Sequence, residues 1–543
     1  MLPVALILII LAACALAAGS WRVYSNTWDE PEHLAAGVEL LDRGQYEYDT
    51  EHPPLGRMLL ALGPYLAGAH SFGTPPPDGT REGVDILYSD GRYWRYLTLA
   101  RLGTLPFLAL LLFATWLWAR RLLGKWALLA VALLVTVPPV LGNAALASLD
   151  VAAAATCLLA LYALQRWLVS GRLGDAALFG LSAGVALATK FSAVPFLGLG
   201  LIVLALTQAL ARSPPRHWQQ CGKGLALALL VSLVPVFLCY GPRAPNPASD
   251  AVRFNWAVAY LLRGHGLDHA LGVVLNDIWL PRALKDLVNG IVAVKAHNDT
   301  GHLSYLLGQT RLTGWWYFYF VALAVKTPLP LLLAGPLGLA WLARSGWRQR
   351  DTWLLAPLLL MLTLLAFACT FSRINIGIRH ILILYPFMAL GAAYLVQRAW
   401  QWRERRGAAA AVAGAALLVV LLWQLSVLWR AFPDYLPYFN ETVADPRRVL
   451  VDSDLDWGQD LYRLELRATQ LRIPTLHLAY RGTADLSREP LPPLSLLPPR
   501  QPVHGWVAVS ALARTRSPSD YAWLDAYRPL ERVGKTIDLY YVP

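Results

Sequence analysis

Eleven apolar runs, most of them about 15 to 25 residues long and separated by charged punctuation, constrain this chain more than any other feature. Inside a bilayer no water is available to pair a backbone N–H or C=O, so a run of that length crosses as a helix. The runs fall at 2–19, 97–118, 126–142, 150–168, 176–190, 193–211, 224–240, 315–342, 353–371, 379–397 and 407–429. A set of soluble domains would carry roughly 25% charged residues; this chain carries 15% and is 56% hydrophobic. The expected architecture is therefore an all-α polytopic membrane protein of about 11 transmembrane helices.

Charge tests the topology independently. With the N-terminus on the cytoplasmic side, the inner loops hold fifteen Lys and Arg against only Asp175, Asp351 and Glu404. That excess equals the whole formal net charge of +12, as the positive-inside rule requires. The basic pI is thus a topology signal, and nucleic acid is not an expected partner. An odd span count exports everything after about residue 430. The cysteines fit the same picture: Cys14, Cys157, Cys239 and Cys369 sit in apolar runs and Cys221 in an inner loop, with no disulfide or metal spacing. Leu11-Ala12-Ala13-Cys14 resembles a lipoprotein cleavage site, but no Lys or Arg precedes it, so the first run is read as a span.

Two long outer loops, 20–96 and 241–314, form the expected active-site face. The first opens with Trp28-Asp29-Glu30-Pro31-Glu32-His33 and continues to Glu51-His52-Pro53-Pro54-Leu55-Gly56-Arg57. Pro31 suits the first turn of a helix. Asp29 and Glu30 would lie at its N-terminal mouth, where negative charge is favoured, with His33 one turn from Asp29. Carboxylates at a membrane edge mark a site by default, against the plainer reading of a solvated, acid-capped helix. Two short surface helices are expected in this loop. Asp150 and Lys190 lie at the outer ends of the fourth and fifth runs. Lys326-Thr327-Pro328 interrupts the 315–342 run, so a kink is expected there, with a lysine in need of a partner. Arg373 and Arg379 stand beside the bilayer, where a planar guanidinium suits the phosphate of a lipid.

The second loop carries Gly264-His265-Gly266-Leu267-Asp268-His269 and His297-Asn298-Asp299-Thr300-Gly301-His302, clusters without a familiar metal-ligand spacing. From 430 to 543 the composition becomes that of a soluble domain. Apolar runs at 449–452, 475–480 and 507–510 read as strands, and 460–472 as a helix, giving a small outer α/β domain. Its acidic stretch Asp452–Asp460 lacks the closing Glu of a calcium loop, so helix capping or sugar contact is expected of it.

Asp29-Glu30 just after the first span, His52-Pro53-Pro54-Leu55 downstream and the arginine-bearing outer loops together resemble the protein O-mannosyltransferase and aminoarabinose-transferase superfamily, in its bacterial branch. These are polyprenyl-phosphate-sugar-dependent glycosyltransferases of the C-type membrane fold. Many relatives have lysine where this chain has Arg57. The resemblance implies transfer of one sugar from a polyprenyl-phosphate donor to an acceptor hydroxyl on a protein, glycolipid or wall polymer at the outer face. It implies Asp29 as base, with Glu30 or Glu32 and His33 orienting it, and Glu30 as the second catalytic candidate. Glu32, His33, His52, Arg57, Asp150, Lys190, Lys326, Arg373 and Arg379 are candidates for lipid phosphate or sugar. The chemistry asks for such a set. One carboxylate takes the acceptor proton, while cations stabilise a lipid phosphate that already leaves well and needs no acid. Some relatives of this fold use a divalent metal ion, for which Asp29, Glu30 and the outer histidines are conceivable ligands. The expected place is the inner (plasma) membrane, N-terminus cytoplasmic and C-terminal domain extracytoplasmic. A transporter or flippase of a lipid-linked or anionic substrate is the rival reading, supported by the broken 315–342 run. A metalloprotease would need His-Glu-x-x-His, which is absent.

Overall fold

The computed structural model describes residues 3–211, 218–241, 256–261, 281–403 and 408–543. The cluster at 264–269 and the inner-loop residues Arg212, Arg216, Glu404, Arg405 and Arg406 lie outside them. Each of the eleven apolar runs is helical, and among the described residues seven helical stretches are long and apolar enough to cross a membrane, eight if a bent pair counts as one span. Some runs are helical but shaped differently from a plain span. Residues 126–142 divide into Ala127–Val135 and Pro138–Ala144, because Pro138 and Pro139 lack the N–H that would continue the first helix. Leu173–Thr189 is a shorter apolar helix.

The largest departure is at 315–342. In place of one kinked span there are two helices, Phe318–Lys326 and Leu329–Gln349, bent by 118° at the Thr327-Pro328 break. Proline removes a donor and frees carbonyls on the turn before it, and Asn440 takes them: its Nδ2 donates to Ala324 O at 2.6 Å and Thr327 O at 2.8 Å. Lys326 is therefore at a corner of the bundle and not at mid-span.

The first long loop folds into three helices, Glu30–Arg43, Pro54–Leu66 and Gly79–Tyr88, where two were expected, and a fourth, Tyr93–Leu102, begins in it and runs into the 97–118 run. Two glycines allow them to stack tightly over the site. A Cβ on Gly37 would lie 2.3 Å from the Arg57 carbonyl, and one on Gly83 only 1.8 Å from the Pro31 carbonyl. Any larger residue there would push the acidic helix away from its neighbours.

After the last apolar helix, Ala408–Ala431, the chain forms a five-stranded mixed sheet in the order Leu494–Leu496, Leu476–Ala479, Gly505–Ser510, Ile537–Val542, Glu531–Val533. The first three strands are parallel and the last two pair antiparallel. Alternation along the strands supplies two apolar faces. Leu476, Leu478 and Leu539 pack with Leu461 and Leu464 of helix Leu461–Gln470, while Val507, Val509 and Tyr540 pack with Leu524 on the other side. No strand forms at 449–452. That stretch is short 3₁₀ turns and loop; Leu450 packs into the core of the helical part, and Val451 is buried.

Candidate active site

The acidic helix starts where the sequence places it. Asp29 is the residue before its first turn, Pro31 is in that turn, and Gly44 in a left-handed conformation (φ 61°) ends it. Its acids, however, have separate fates. Glu30 is 1% exposed and grips Arg101 with both oxygens, Nε to Oε1 and Nη2 to Oε2 at 2.8 Å each. Oε1 also accepts from Ala147 N (2.8 Å), and Oε2 from Thr27 N (2.7 Å) and Thr27 Oγ1 (3.1 Å). With five donors on two oxygens, Glu30 has no capacity left to take a proton from a substrate. This removes it from the catalytic role expected of it. It anchors the helix start to the membrane helices through Arg101, which itself donates to the Tyr24 and Ser25 carbonyls.

His33 and Arg57 are likewise turned inward. The His33 ring does not reach the Asp29 carboxylate; only its backbone N–H bonds Asp29 O. Its Nδ1 instead accepts from Arg57 Nε at 3.2 Å. Burial, reinforced by the Arg57 charge, holds the His33 pKa well below the usual histidine value, so the ring is neutral. Arg57 is fully buried and donates to the Tyr46 hydroxyl (3.0 Å), the Asp49 carbonyl (2.7 Å) and the Asp49 carboxylate. Burial alone would raise the Asp49 carboxyl, but Arg57 and then His52 outweigh it and hold it well below the ordinary range. His52 Nδ1 sits 3.1 Å from Asp49 Oδ2. The His-Pro-Pro motif thus builds an internal ion pair, and Arg57 has no free face for a lipid phosphate. Sequence reading missed Asp49 and Arg101; the signal for Arg101 was a lone guanidinium at the outer edge of an apolar run, which needs a carboxylate.

Asp29 is part-exposed. Its side chain is 26% exposed, and Oδ2 accepts from Arg379 Nη1 at 2.7 Å, while Oδ1 has no partner among the described residues. The same Nη1 lies 3.5 Å from Asp150 Oδ2, and Asp150 Oδ1 accepts from Lys190 Nζ at 2.6 Å. Residues 29, 150, 190 and 379 therefore form one alternating chain of two carboxylates and two cations. Arg379 is 7% and Asp150 2% exposed, whereas Lys190 is 16% exposed. Arg379, not His33 or Glu30, orients the Asp29 carboxylate.

The remaining candidates disperse. Lys326 is buried, donating to the carbonyls of Leu436 (2.9 Å) and Asp454 (2.5 Å) with its ammonium 4.4 Å from the Phe439 ring, so it holds the corner of the bent pair instead of facing a phosphate. Arg373 is exposed, donating through Nη1 to the Asp299 carbonyl at 3.1 Å. Glu32 has no hydrogen bond or ion pair among the described residues; burial, with Asp49 nearby, pushes it up to about 7. In the second outer loop His297 Nδ1 meets Glu51 Oε2 at 2.8 Å, tying helix Arg282–Thr300 to the first loop. That hydrogen bond raises His297 above its ordinary value. As a metal centre the expected set does not fit: both Glu30 oxygens are taken. Among the described residues, no group of three or more His, Cys, Asp or Glu has a ligating arrangement. The acids of Asp452–Asp460 cap backbone N–H groups and pair with arginines.

The helical bundle thus brings a part-exposed carboxylate together with a buried arginine and a part-exposed lysine. Residues 6–246, a little under half of the chain, match the family model of dolichyl-phosphate-mannose-protein mannosyltransferases. No curated protein matches the sequence. Among solved structures, the chain is similar to ArnT from Cupriavidus metallidurans bound to undecaprenyl phosphate (14% identity, 98% of this chain and 97% of that one, TM-score 0.48). It is also similar to the oligosaccharyltransferase AglB from Archaeoglobus fulgidus in complex with an inhibitory peptide and a dolichol-phosphate, at 12% identity and TM-score 0.48. That likeness takes in 78% of this chain, which spans 55% of the archaeal protein's length.

Proposed function

We propose that this protein transfers a single sugar from a polyprenyl-phosphate donor to an acceptor hydroxyl at the outer face of the inner (plasma) membrane, with inversion. The observation that carries this reading is the Asp29–Arg379–Asp150–Lys190 chain, with one free carboxylate oxygen at its exposed end. Asp29 Oδ1 takes the acceptor's proton as the acceptor oxygen bonds to the anomeric carbon from the face opposite the phosphate. The carbon–phosphate-oxygen bond breaks with its electron pair going to the phosphate, which passes from a diester of charge about −1 to a monoester of charge about −2. Before reaction the four side chains are balanced. Once Asp29 is protonated they carry a net positive charge, at the moment when the leaving phosphate gains a negative one. A preorganised cation at that place favours the transition state over the ground state. Lys190 and Arg379 are the cations assigned to the phosphate, with the exposed Arg373 at the entrance.

In this reading residues 1–429 hold the transfer machinery, with loops 20–96 and 241–314 on the outer side. Residues 430–543 form the extracytoplasmic α/β domain, and the N-terminus is cytoplasmic. The acceptor is a protein, glycolipid or wall polymer. The test uses purified protein in detergent with a labelled polyprenyl-phosphate hexose and a membrane extract as acceptor, followed by the anomeric configuration of the product. Transfer in detergent with inversion supports the reading. Retention of configuration overturns the single-displacement step, and label that moves only across sealed vesicles supports a transporter instead.

A further inference from the structure

The arginine that orients Asp29 is itself held by the C-terminal domain. Ser453 Oγ donates to the Ile376 carbonyl at 2.6 Å, and Ile378 N donates to Asp454 Oδ1 at 3.0 Å, so residues 453 and 454 clamp the loop on either side of Gly377. A Cβ on Gly377 would lie 2.2 Å from Ser453 Oγ, so the Ser453 side chain occupies the space that a larger residue at 377 would need. The indole of Trp457 lies under the Arg379 guanidinium, 4.2 Å from its carbon, and is 2% exposed. The indole is fixed in turn from the first outer loop. Trp28 N donates to Trp457 O at 3.0 Å, Ser25 N to Gln459 O at 2.9 Å, and the Gln459 side chain accepts from Trp457 N at 2.8 Å. Arg379 Nε has no hydrogen-bond partner among the described residues, so Nη1 and the ring contact are what fix the guanidinium on the Asp29 side. Trp28 also immediately precedes Asp29, so one strip of C-terminal backbone sets the positions of both partners of the ion pair.

Resting on the transferase reading, we propose that Trp457 is a positioning residue: the C-terminal domain completes the active site by holding the Arg379 guanidinium over an indole, and so aims Asp29. Without the ring the guanidinium loses its fixed place between Asp29, Asp150 and the donor phosphate, and the Asp29 carboxylate loses its fixed rotamer. A buried cation–π contact is the kind of interaction that keeps a charge in place without neutralising it.

The experiment compares full-length wild type with Trp457→Phe, Trp457→Leu and Arg379→Gln. In the transfer assay, Trp457→Leu lowers kcat about tenfold, the order expected for loss of a desolvated cation–π contact. The donor KM changes less than twofold, and Trp457→Phe recovers most of the rate. A rise in KM alone, or a phenylalanine variant as impaired as leucine, overturns the proposal. A second readout does not depend on turnover: carbodiimide labelling of Asp29 at fixed pH, followed by peptide mass spectrometry. Labelling rises several-fold in Arg379→Gln and in Trp457→Leu, and stays at the wild-type rate in Trp457→Phe. Labelling that rises in Arg379→Gln but not in Trp457→Leu refutes the positioning role even if no donor supports transfer. Failure of the wild type on every donor refutes the transferase reading alone.

Discussion

Replacing Glu30 by glutamine separates an anchor from a catalyst. The carboxylate is 1% exposed, as is its partner Arg101. In the amide, Oε1 can still accept from Arg101 Nε and Ala147 N. The new NH₂ group faces Thr27 N, Thr27 Oγ1 and Arg101 Nη2, where three donors stood on Oε2. The variant leaves a backbone N–H and half of a guanidinium unpaired in a dry site. A buried donor without a partner costs about 1–3 kcal/mol, and removing one member of a buried ion pair costs about 3–5 kcal/mol. The expected destabilisation is therefore about 3–5 kcal/mol, read as the shift in equilibrium unfolding in mixed micelles. Removing both charges, as in Glu30→Gln with Arg101→Leu, should recover part of the loss, because no charge is then stranded. A Glu30→Gln protein that unfolds like wild type yet has lost transfer would refute this reasoning and return Glu30 to the reaction centre.

Other outcomes follow from the same geometry. Arg57→Gln should loosen the 46–57 loop, seen as faster amide exchange there, because Asp49 and Tyr46 lose their common donor; a variant altered only in donor KM would restore the phosphate role. Glu32 is raised from 4.5 to about 7 by burial and by Asp49, so the folded state binds a proton the unfolded chain has released. Its stabilisation is full below pH 4.5 and is lost as pH rises through about 7. Glu32→Gln should flatten the stability profile across that window, and an unchanged slope would contradict the assignment.

The sequence carried the membrane class openly, because the length of an apolar run and the sign of its flanking charges are both local quantities. It also placed Asp29 at a helix start, since Pro31 and Gly44 punctuate that helix without help from afar. What local spacing does not carry is the choice of partner for each charge. Glu30 and Asp29 are neighbours in sequence, yet Glu30 meets Arg101 in a dry interior while Asp29, itself part-exposed, meets the buried Arg379. That difference arises from packing across 71 and 350 residues respectively. Arg57 and Lys326 looked like phosphate ligands because a lone cation near a bilayer needs a partner. The structure supplies the partner internally, as Asp49 for one and two backbone carbonyls for the other. The sharp turn at Thr327-Pro328 was legible as a break, but its 118° angle depends on Asn440, far along the chain, capping the freed carbonyls.

The most direct test of the account is transfer of label from a polyprenyl-phosphate hexose by purified wild type beside Asp29→Asn. The account predicts transfer by the wild type and a fall of about 10²–10⁴-fold in the variant, the range lost with a general base, while its unfolding curve shifts less than that of Glu30→Gln, because Asp29 is part-exposed and the amide oxygen can still accept from Arg379. Full activity in Asp29→Asn would contradict the central claim.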